Sequence, residues 1–209
     1  MYEDTPMRRV QELFTSLLYG DQPAGWDIAG RKEVIRSLTR EDFMKYRSLH
    51  YVAPKTVVVI AGNFDKTKML TQVKKFFGDL PRAKKIGKVK TKTLEQNKPR
   101  VLLKHKESDQ SHLVIGVRAF DVFDKRRYAI ELLADVLGGG MSSRLFHKVR
   151  EELGAAYYIR AGADLLIDHG SFDVSSGVDH SKIGKVIQAI LEEFGRVKSE
   201  LVGKEELQK

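Results

Sequence analysis

The feature that most restricts the fold is a repeated change of hydrophobic period, from about 3.6 residues, as in helices, to two, as in strands. In the second half of the chain this pattern predicts strands at 100–106, 111–120, 155–165 and 170–179, and helices at 125–137, 142–153 and 180–200. Strands that pair in sheets and carry helices on one face form two-layer α+β folds. We therefore predict an α+β fold with two layers, in which antiparallel-rich mixed sheets are backed by helices.

The first third of the chain carries clear helix-start signals. Pro6 stands at a favoured first helical position, and the apolar positions that follow it share one face as far as Gly20. Thr39 and Asp42 have the spacing of a capping box. These signals predict one helix that ends at Gly20 and a second that runs to about Ser48.

A β-branched run, KTVVVIAGN at 55–63, follows these helices. Its apolar residues are continuous rather than alternating, which is typical of a strand buried on both faces. Asp65 then begins another predicted helix, which ends near Phe77. The first part of the chain thus repeats the alternation of helix and strand seen in the second.

The net charge of +9 is concentrated in one segment between Arg82 and Arg100. This segment holds eight Lys or Arg and one Glu, a surplus of seven, which leaves two for the rest of the chain. Prolines lie at its borders and it contains no aromatic residue that could stack on a base. We interpret residues 81–99 as a solvated basic linker; nucleic-acid binding through salt-sensitive phosphate contacts is the alternative.

The composition argues against disulfide-bonded, membrane-spanning and metal-binding classes of protein. The chain has no cysteine, hence no disulfide or thiolate metal site, which suits a reducing compartment, and we predict a cytoplasmic location. No apolar run approaches the roughly 20 residues that span a bilayer, so we predict no membrane association. The six histidines do not form H-E-x-x-H or H-x-x-E-H, and we predict no metal ligand in this chain.

The stretch LGGGMSSRLFHKVREELGAAYY at 137–158 is the most specific local feature. It lacks the Lys and Ser/Thr of a phosphate-binding loop, whereas consecutive glycines can approach an extended backbone without Cβ clashes. Arg150 lies in the last turn of a predicted helix, Gly154 has the position of a C′ residue, and Tyr157 begins a strand. A guanidinium and a phenol at such a corner could donate hydrogen bonds to a carbonyl oxygen that gains charge. The alternative is structural: Tyr157 and Tyr158 point to opposite faces, and one belongs to the core.

That stretch, preceded by SDQSHLVIGVRAF and followed by GSFDVSSGV, closely resembles the zinc peptidases of the pitrilysin, insulinase and mitochondrial-processing-peptidase family, the inverzincins. The first third resembles the region that follows the zinc site of that family. The resemblance implies three parts: residues 1–80 are the C-terminal part of a zinc-bearing domain, 81–99 the linker, and 100–209 the N-terminal part of a second, non-zinc domain. Zinc would then belong to the full-length parent, and none is expected in this chain.

The resemblance also assigns roles and partners. It implies that Arg150 and Tyr157 reach the substrate in a closed chamber, with Tyr158 as the substitute if the strand register differs by one, and that Gly138, Gly139 and Gly140 shape the chamber wall. The expected partners are a peptide substrate and the remainder of the peptidase, with self-association of the exposed apolar surfaces. The leading hypothesis is a fragment of a zinc metalloendopeptidase that is inactive alone; the alternative is a zinc-free partner subunit or interaction module of a two-component peptidase.

Overall fold

A computed structural model of the chain describes residues 4–83, 87–93 and 95–208. In chain order the helices are α1 (Pro6–Tyr19), α2 (Lys32–Ser37), α3 (Arg40–His50), α4 (Lys66–Phe77), α5 (Arg127–Gly138), a π-helix (Phe146–Glu152), α6 (Ile183–Ser199) and α7 (Lys204–Leu207). The strands are β1 (Ser111–Ala119), β2 (Ala156–Leu165) and β3 (Gly170–Val178). The predicted α+β class is confirmed. Within the described ranges, every helix is too short or too polar to cross a bilayer.

By its contacts the chain forms two compact units. One unit comprises Ile28–Val89, and the other comprises the residues before and after it. The division into residues 1–80, 81–99 and 100–209 was predicted from the resemblance to two peptidase domains. It stays a prediction. Residues 84–86 and 94 of the predicted linker lie outside the described part of the chain.

The sheet of the larger unit is fully antiparallel and has the order β1-β3-β2. β2 and β3 form a hairpin whose turn is closed by the Leu166 N–H, which donates to the His169 carbonyl at 2.8 Å. β1 pairs with β3 over its whole length, from Ser111 opposite Val178 to Ala119 opposite Gly170. The predicted strands at 111–120, 155–165 and 170–179 are therefore confirmed, and β1 lies at an edge of the sheet.

The main core lies between this sheet and three helices, α5, α6 and the π-helix. α6 presents one apolar stripe because its apolar residues recur at the helical spacing. The residues with no exposed surface at this interface are Leu137, Leu145, Val149, Val174, Val178, Val186 and Ile190. Complete burial of seven such side chains provides the main hydrophobic stabilisation of this unit.

α1 adds a helix on the other face of β1. Gly116 has no side chain there, and a Cβ at this position would overlap the ring of Phe14 and the backbone of Phe172. The Arg118 guanidinium donates to the Leu18 carbonyl. The close approach of α1 therefore depends on glycine at position 116.

The helix-start signals in the first 80 residues are confirmed. α1 begins at Pro6 and ends before Gly20, whose φ of +69° is in the left-handed region. At the start of α3 the Asp42 N–H donates to Thr39 Oγ1 at 3.3 Å, and the Thr39 N–H donates to Asp42 Oδ2 at 2.9 Å, which completes the capping box.

Two predicted strands are absent from the described residues. Lys55 ends a short 3₁₀ helix (Ala53–Lys55), and residues 56–63 and 100–106 have no regular structure. Val57 and Val59 are 84% and 83% exposed rather than buried on both faces. Val58 and Ile60, in contrast, face α4 across a small cavity. The side chains of this segment therefore alternate as they do in a strand, but the segment lacks the hydrogen bonds of a strand. The apolar pattern was sufficient for an extended backbone, but a strand also requires a neighbour that supplies N–H and C=O partners.

Candidate functional site

The three glycines that precede the site differ in their surroundings. Gly138 is buried at the end of α5, and a Cβ there would overlap the backbone nitrogen of Ala161 in β2. The Gly139 N–H donates to the Asp135 carbonyl at 3.0 Å and so continues the helical bonding. Gly140 is exposed, with open space where a Cβ would stand. Gly138 therefore serves close packing of helix on strand, whereas the predicted substrate-binding role of the three glycines stays a prediction.

The helix after the glycines is a π-helix over Phe146–Glu152 rather than the predicted α-helix. The hydrogen bonds of a π-helix join residues five apart. The Leu153 N–H accordingly donates to the carbonyl of Lys148, five residues earlier, at 3.2 Å. The side chain of Val149 lies in the core. Gly154 then adopts a φ of +51°, which confirms its predicted place as the left-handed residue after the helix. π-helical turns are rare and occur frequently at functional sites.

Arg150 lies on the exposed side of the π-helix. Its guanidinium carbon is 5.0 Å from the centroid of the Phe146 ring, a cation–π contact that restricts the arginine while leaving its N–H groups near solvent. Among the described residues no hydrogen bond joins Arg150 to Tyr157 or Tyr158. The guanidinium of Arg150 is thus oriented by an aromatic ring, and its N–H groups remain available as hydrogen-bond donors.

Tyr157 occupies a β-bulge at the start of β2. Ala156 pairs with Val178 and Tyr158 pairs with Gly177, so Tyr157 is the extra residue between two successive pairs. Its side chain is 63% exposed. A bulge interrupts strict alternation and re-aims a side chain, and bulges are common beside active sites.

Tyr158 is half-buried and has a defined partner. Its phenolic oxygen lies 3.0 Å from Nδ1 of His112 in β1. Burial raises the pKa of Tyr158 and lowers the pKa of His112, so both groups are held neutral near pH 7. The prediction that one of the two tyrosines belongs to the core is wrong, because neither lies in the core cluster.

The corner between helix and strand is fixed by the turn that follows β3. The Asp179 N–H donates to the Ala155 carbonyl at 3.2 Å, and Lys182 Nζ donates to the Gly154 carbonyl at 2.9 Å. Ala155 itself is buried. The backbone just before Tyr157 is therefore held by two hydrogen bonds from this turn.

An ion-pair cluster beside the glycines was not predicted from the sequence. Arg144 contacts Glu206 of α7 and the buried Glu193 of α6. Glu193 also accepts a hydrogen bond from Arg196 at 2.8 Å. No local pattern links Arg144 to this cluster, because Glu206 lies 62 residues further along the chain.

The described residues supply no metal site: in the parts 4–83, 87–93 and 95–208, no three histidine, aspartate or glutamate side chains come together as ligands. His147 pairs instead with Glu151 at 2.5 Å along the π-helix. Zinc therefore has no ligand set among these residues, and the chemistry available at the corner is hydrogen-bond donation.

Known proteins similar to this chain include several named as zinc proteases. The family described as "Peptidase M16 inactive domain" matches residues 37–209. An uncharacterized zinc protease of Mycobacterium leprae is 31% identical over 199 residues, covering 94% of this chain and 45% of the relative. An uncharacterized zinc protease of Bacillus subtilis is 29% identical over 208 residues, covering 100% of this chain and 50% of the relative. The chain spans about half the length of the curated relatives it matches.

Solved structures agree with the fold. A peptidase M16 inactive domain from Pseudomonas fluorescens superposes with a TM-score of 0.81 at 20% identity, covering 99% of this chain and 50% of that one. A protease from Helicobacter pylori superposes with a TM-score of 0.86 at 22% identity, covering 99% of this chain and 51% of the protease. At such identities the likeness establishes the fold alone.

Proposed function

Since this chain belongs to the peptidase M16 family through its inactive domain, we propose that it contributes substrate-binding groups, and no metal, to a zinc metalloendopeptidase that cleaves peptides in a closed chamber. Zinc and its activated water would come from the remainder of a longer parent. In that parent, residues 1–80 end a zinc-bearing domain, 81–99 form the linker, and 100–209 begin the non-zinc domain. The half-length coverage of the zinc-protease relatives supports the existence of a longer parent.

One observation carries the proposed role: a π-helix, which is rare, and a β-bulge follow each other at the corner and present Arg150 and Tyr157 outward. The guanidinium and the phenol donate hydrogen bonds to the scissile carbonyl oxygen and become more effective as that oxygen gains negative charge. Tyr157 is favoured over Tyr158, whose hydroxyl already lies against His112. The three glycines shape the wall beside this pair.

The test is turnover by the full-length peptidase. We expect Arg150→Ala and Tyr157→Phe each to lower kcat by roughly a hundredfold, the effect of removing one oxyanion donor. Zinc content, measured by atomic absorption, stays constant because neither residue is a ligand. Unchanged turnover at constant zinc would remove the assigned role. Tyr158→Phe is the comparison variant that distinguishes the two tyrosines.

The second candidate is a zinc-free partner subunit of a two-component peptidase, with which the inactive-domain match is equally compatible. The two proposals differ in what restores activity. A partner subunit restores peptide hydrolysis when the purified chain is mixed with a separate zinc-bearing chain, whereas a fragment requires covalent continuity. Chelator-sensitive hydrolysis by the purified chain alone would contradict both proposals.

A further inference from the structure

Three residues form a row across the sheet beside the bulge at Tyr157. Gly177 of the central strand β3 pairs with His112 of β1 on one side and with Tyr158 of β2 on the other. Directly paired residues project from the same face of a sheet, so the side chains of His112 and Tyr158 lie on the same face as Gly177. β1 and β2 are separated by β3 and lie about 10 Å apart, twice the spacing of adjacent strands.

The missing side chain of Gly177 allows the two outer side chains to meet. The Tyr158 hydroxyl lies 3.0 Å from Nδ1 of His112, and the centroids of the two rings are 5.9 Å apart. A Cβ at position 177 would overlap the ring of Tyr158 and would lie 2.6 Å from Oε1 of Gln110. Because Gly177 is not among the glycines with positive φ, glycine is needed here for space and not for backbone conformation.

The backbone of Tyr158 has a second anchor. A β-bulge disrupts the ladder of hydrogen bonds and leaves its extra residue unpaired. At this bulge the hydroxyl of Ser176, a residue with no exposed surface, donates to the Tyr158 carbonyl at 2.8 Å. Loss of this bond would leave a buried polar group without a partner, which is costly. Tyr158 is therefore held at its carbonyl by β3 and at its phenol by β1.

These contacts bear on Tyr157 because it lies between two fixed points. On the amino-terminal side, the turn after β3 holds the carbonyls of Gly154 and Ala155. On the carboxyl-terminal side, Tyr158 is held by β1 and β3. Tyr157 itself is the extra residue of the bulge, and its side chain is largely exposed. The direction of that side chain is thus set by its neighbours in the chain.

We propose that the phenol of Tyr157 is positioned for the reaction by three residues, His112, Ser176 and Gly177. They fix Tyr158, and with it the bulge from which Tyr157 points at the scissile carbonyl oxygen. The inference rests on the proposed function and adds to it residues that act through Tyr157 rather than on the substrate. Misplacing a catalytic group by about 1 Å can lower a rate by about a hundredfold, so a small shift of the bulge is sufficient.

The test is turnover by the full-length peptidase. His112→Leu removes the partner of the Tyr158 hydroxyl and retains a side chain of comparable size. We expect it to lower kcat by roughly tenfold with little change in KM, a part of the loss that removal of the Tyr157 hydroxyl causes. His112→Asn carries an amide on Cγ that can donate or accept at the place of Nδ1, and it should restore kcat to within about twofold of the parent. Ser176→Ala removes the anchor of the carbonyl and should change kcat in the same direction as His112→Leu.

A double variant separates positioning from a general loss of stability. A residue that acts through Tyr157 has nothing to act on once the phenolic hydroxyl is absent. In a Tyr157→Phe background, His112→Leu should therefore change kcat by less than about twofold, although it lowers kcat in the parent. A merely structural role would lower kcat by the same factor in both backgrounds.

Two glycines of the same sheet provide a matched pair. Gly177→Ala places a methyl group against the Tyr158 ring, whereas Gly162→Ala, in β2, meets open space. We expect kcat to fall by roughly tenfold in Gly177→Ala and to stay at the parent value in Gly162→Ala. Fluorotyrosine placed at position 157 reports the orientation of this side chain independently of catalysis. Its fluorine NMR resonance should shift or broaden in Gly177→Ala and match the parent in Gly162→Ala.

Three results would overturn the inference while the proposed function stands. The first is a parent-like kcat in both His112→Leu and Gly177→Ala when Tyr157→Phe lowers kcat. The second is an unchanged fluorine resonance in Gly177→Ala, and the third is an equal loss of kcat by His112→Leu in the two backgrounds. If Tyr157→Phe itself leaves kcat unchanged at constant zinc, the proposed function fails, and the fluorine resonance still decides whether the row orients this tyrosine.

Discussion

The guanidinium group of Arg144 donates two hydrogen bonds of 2.7 Å to the carboxylate of Glu206, across 62 residues of sequence. Its third nitrogen, Nη1, lies 3.8 Å from Oε2 of the buried Glu193. A bidentate arginine pair has a fixed geometry. The contact therefore ties α7 and α6 to the start of the helix that carries Arg150.

The first prediction concerns this cluster. Arg144→Ala should lower the free energy of unfolding by about 3 to 5 kcal/mol, because it removes the cation beside Glu193 and leaves that carboxylate buried. Urea denaturation followed by circular dichroism measures the change. Glu193 retains its bond from Arg196, which places the expected loss at the lower end of that range.

Lys148→Ala is the matched control for Arg144→Ala. Lys148 pairs with Glu152 at 2.8 Å, but both side chains are substantially exposed to solvent. An exposed pair of this kind is screened by water and contributes little to stability, so we expect almost no change. Equal losses for the two variants would contradict the view that burial gives the Arg144 cluster its importance.

The second prediction compares two glycines of the same run. Gly138→Ala should destabilise the protein by about 1 to 3 kcal/mol, because its methyl group overlaps the backbone of β2 at Ala161. Gly140→Ala meets open space and should be neutral or stabilising by up to about 1 kcal/mol. Thermal and urea unfolding of both variants checks the difference; similar losses would show that α5 does not depend on close contact with β2.

Local signals in the sequence predicted much of the fold. The capping box at Thr39 and Asp42, the proline at the start of α1 and Gly154 at the end of the π-helix all act within a few residues, so no tertiary information is needed to recognise them. The strands of the sheet could be predicted because their partners lie within the chain. The run at 55–63 looked no less strand-like, but its pairing depends on a neighbour that periodicity does not reveal.

The candidate site was less predictable for the same reason. Arg150 and Tyr157 were found because their spacing in one continuous stretch resembles that of a known family. The bulge at Tyr157 depends on the register of β2 against β3, and the contact of Tyr158 with His112 spans 46 residues. Sequence spacing contains neither relationship, so it could not distinguish the two tyrosines.

The third prediction separates those tyrosines by stability. Tyr158→Phe removes the contact with His112 and should lower the free energy of unfolding by about 1 kcal/mol. Tyr157→Phe should leave stability within about 0.5 kcal/mol of the parent, because that side chain is largely exposed. Denaturant unfolding measures both. A larger loss for Tyr157→Phe would mean that its hydroxyl has a structural partner rather than a free donor.

The fourth prediction is a pH dependence at Asp173 in β3. Burial raises the pKa of this carboxyl above its ordinary value of 3.8, and a hydrogen bond from Gln11 Nε2 at 3.3 Å only partly offsets the effect. Above pH 3.8 the unfolded chain releases the proton while the folded chain retains it. The folded state therefore loses stability as pH rises from 3.8 to the folded pKa, and the loss is constant beyond it.

Asp173→Asn removes this titration and keeps an oxygen that accepts from Gln11. We expect the variant to unfold at a higher urea concentration than the parent at pH 7, with the advantage disappearing as pH falls below 3.8. Asp124→Asn should show the opposite sign, since hydrogen bonds from Arg126 lower the pKa of Asp124 to about 2. That carboxylate stabilises the fold above pH 3.8, and the contribution is lost as pH falls toward 2. Urea midpoints between pH 2 and 7 measure both variants, and an advantage of Asp173→Asn that did not depend on pH would show that the buried charge is not its cause.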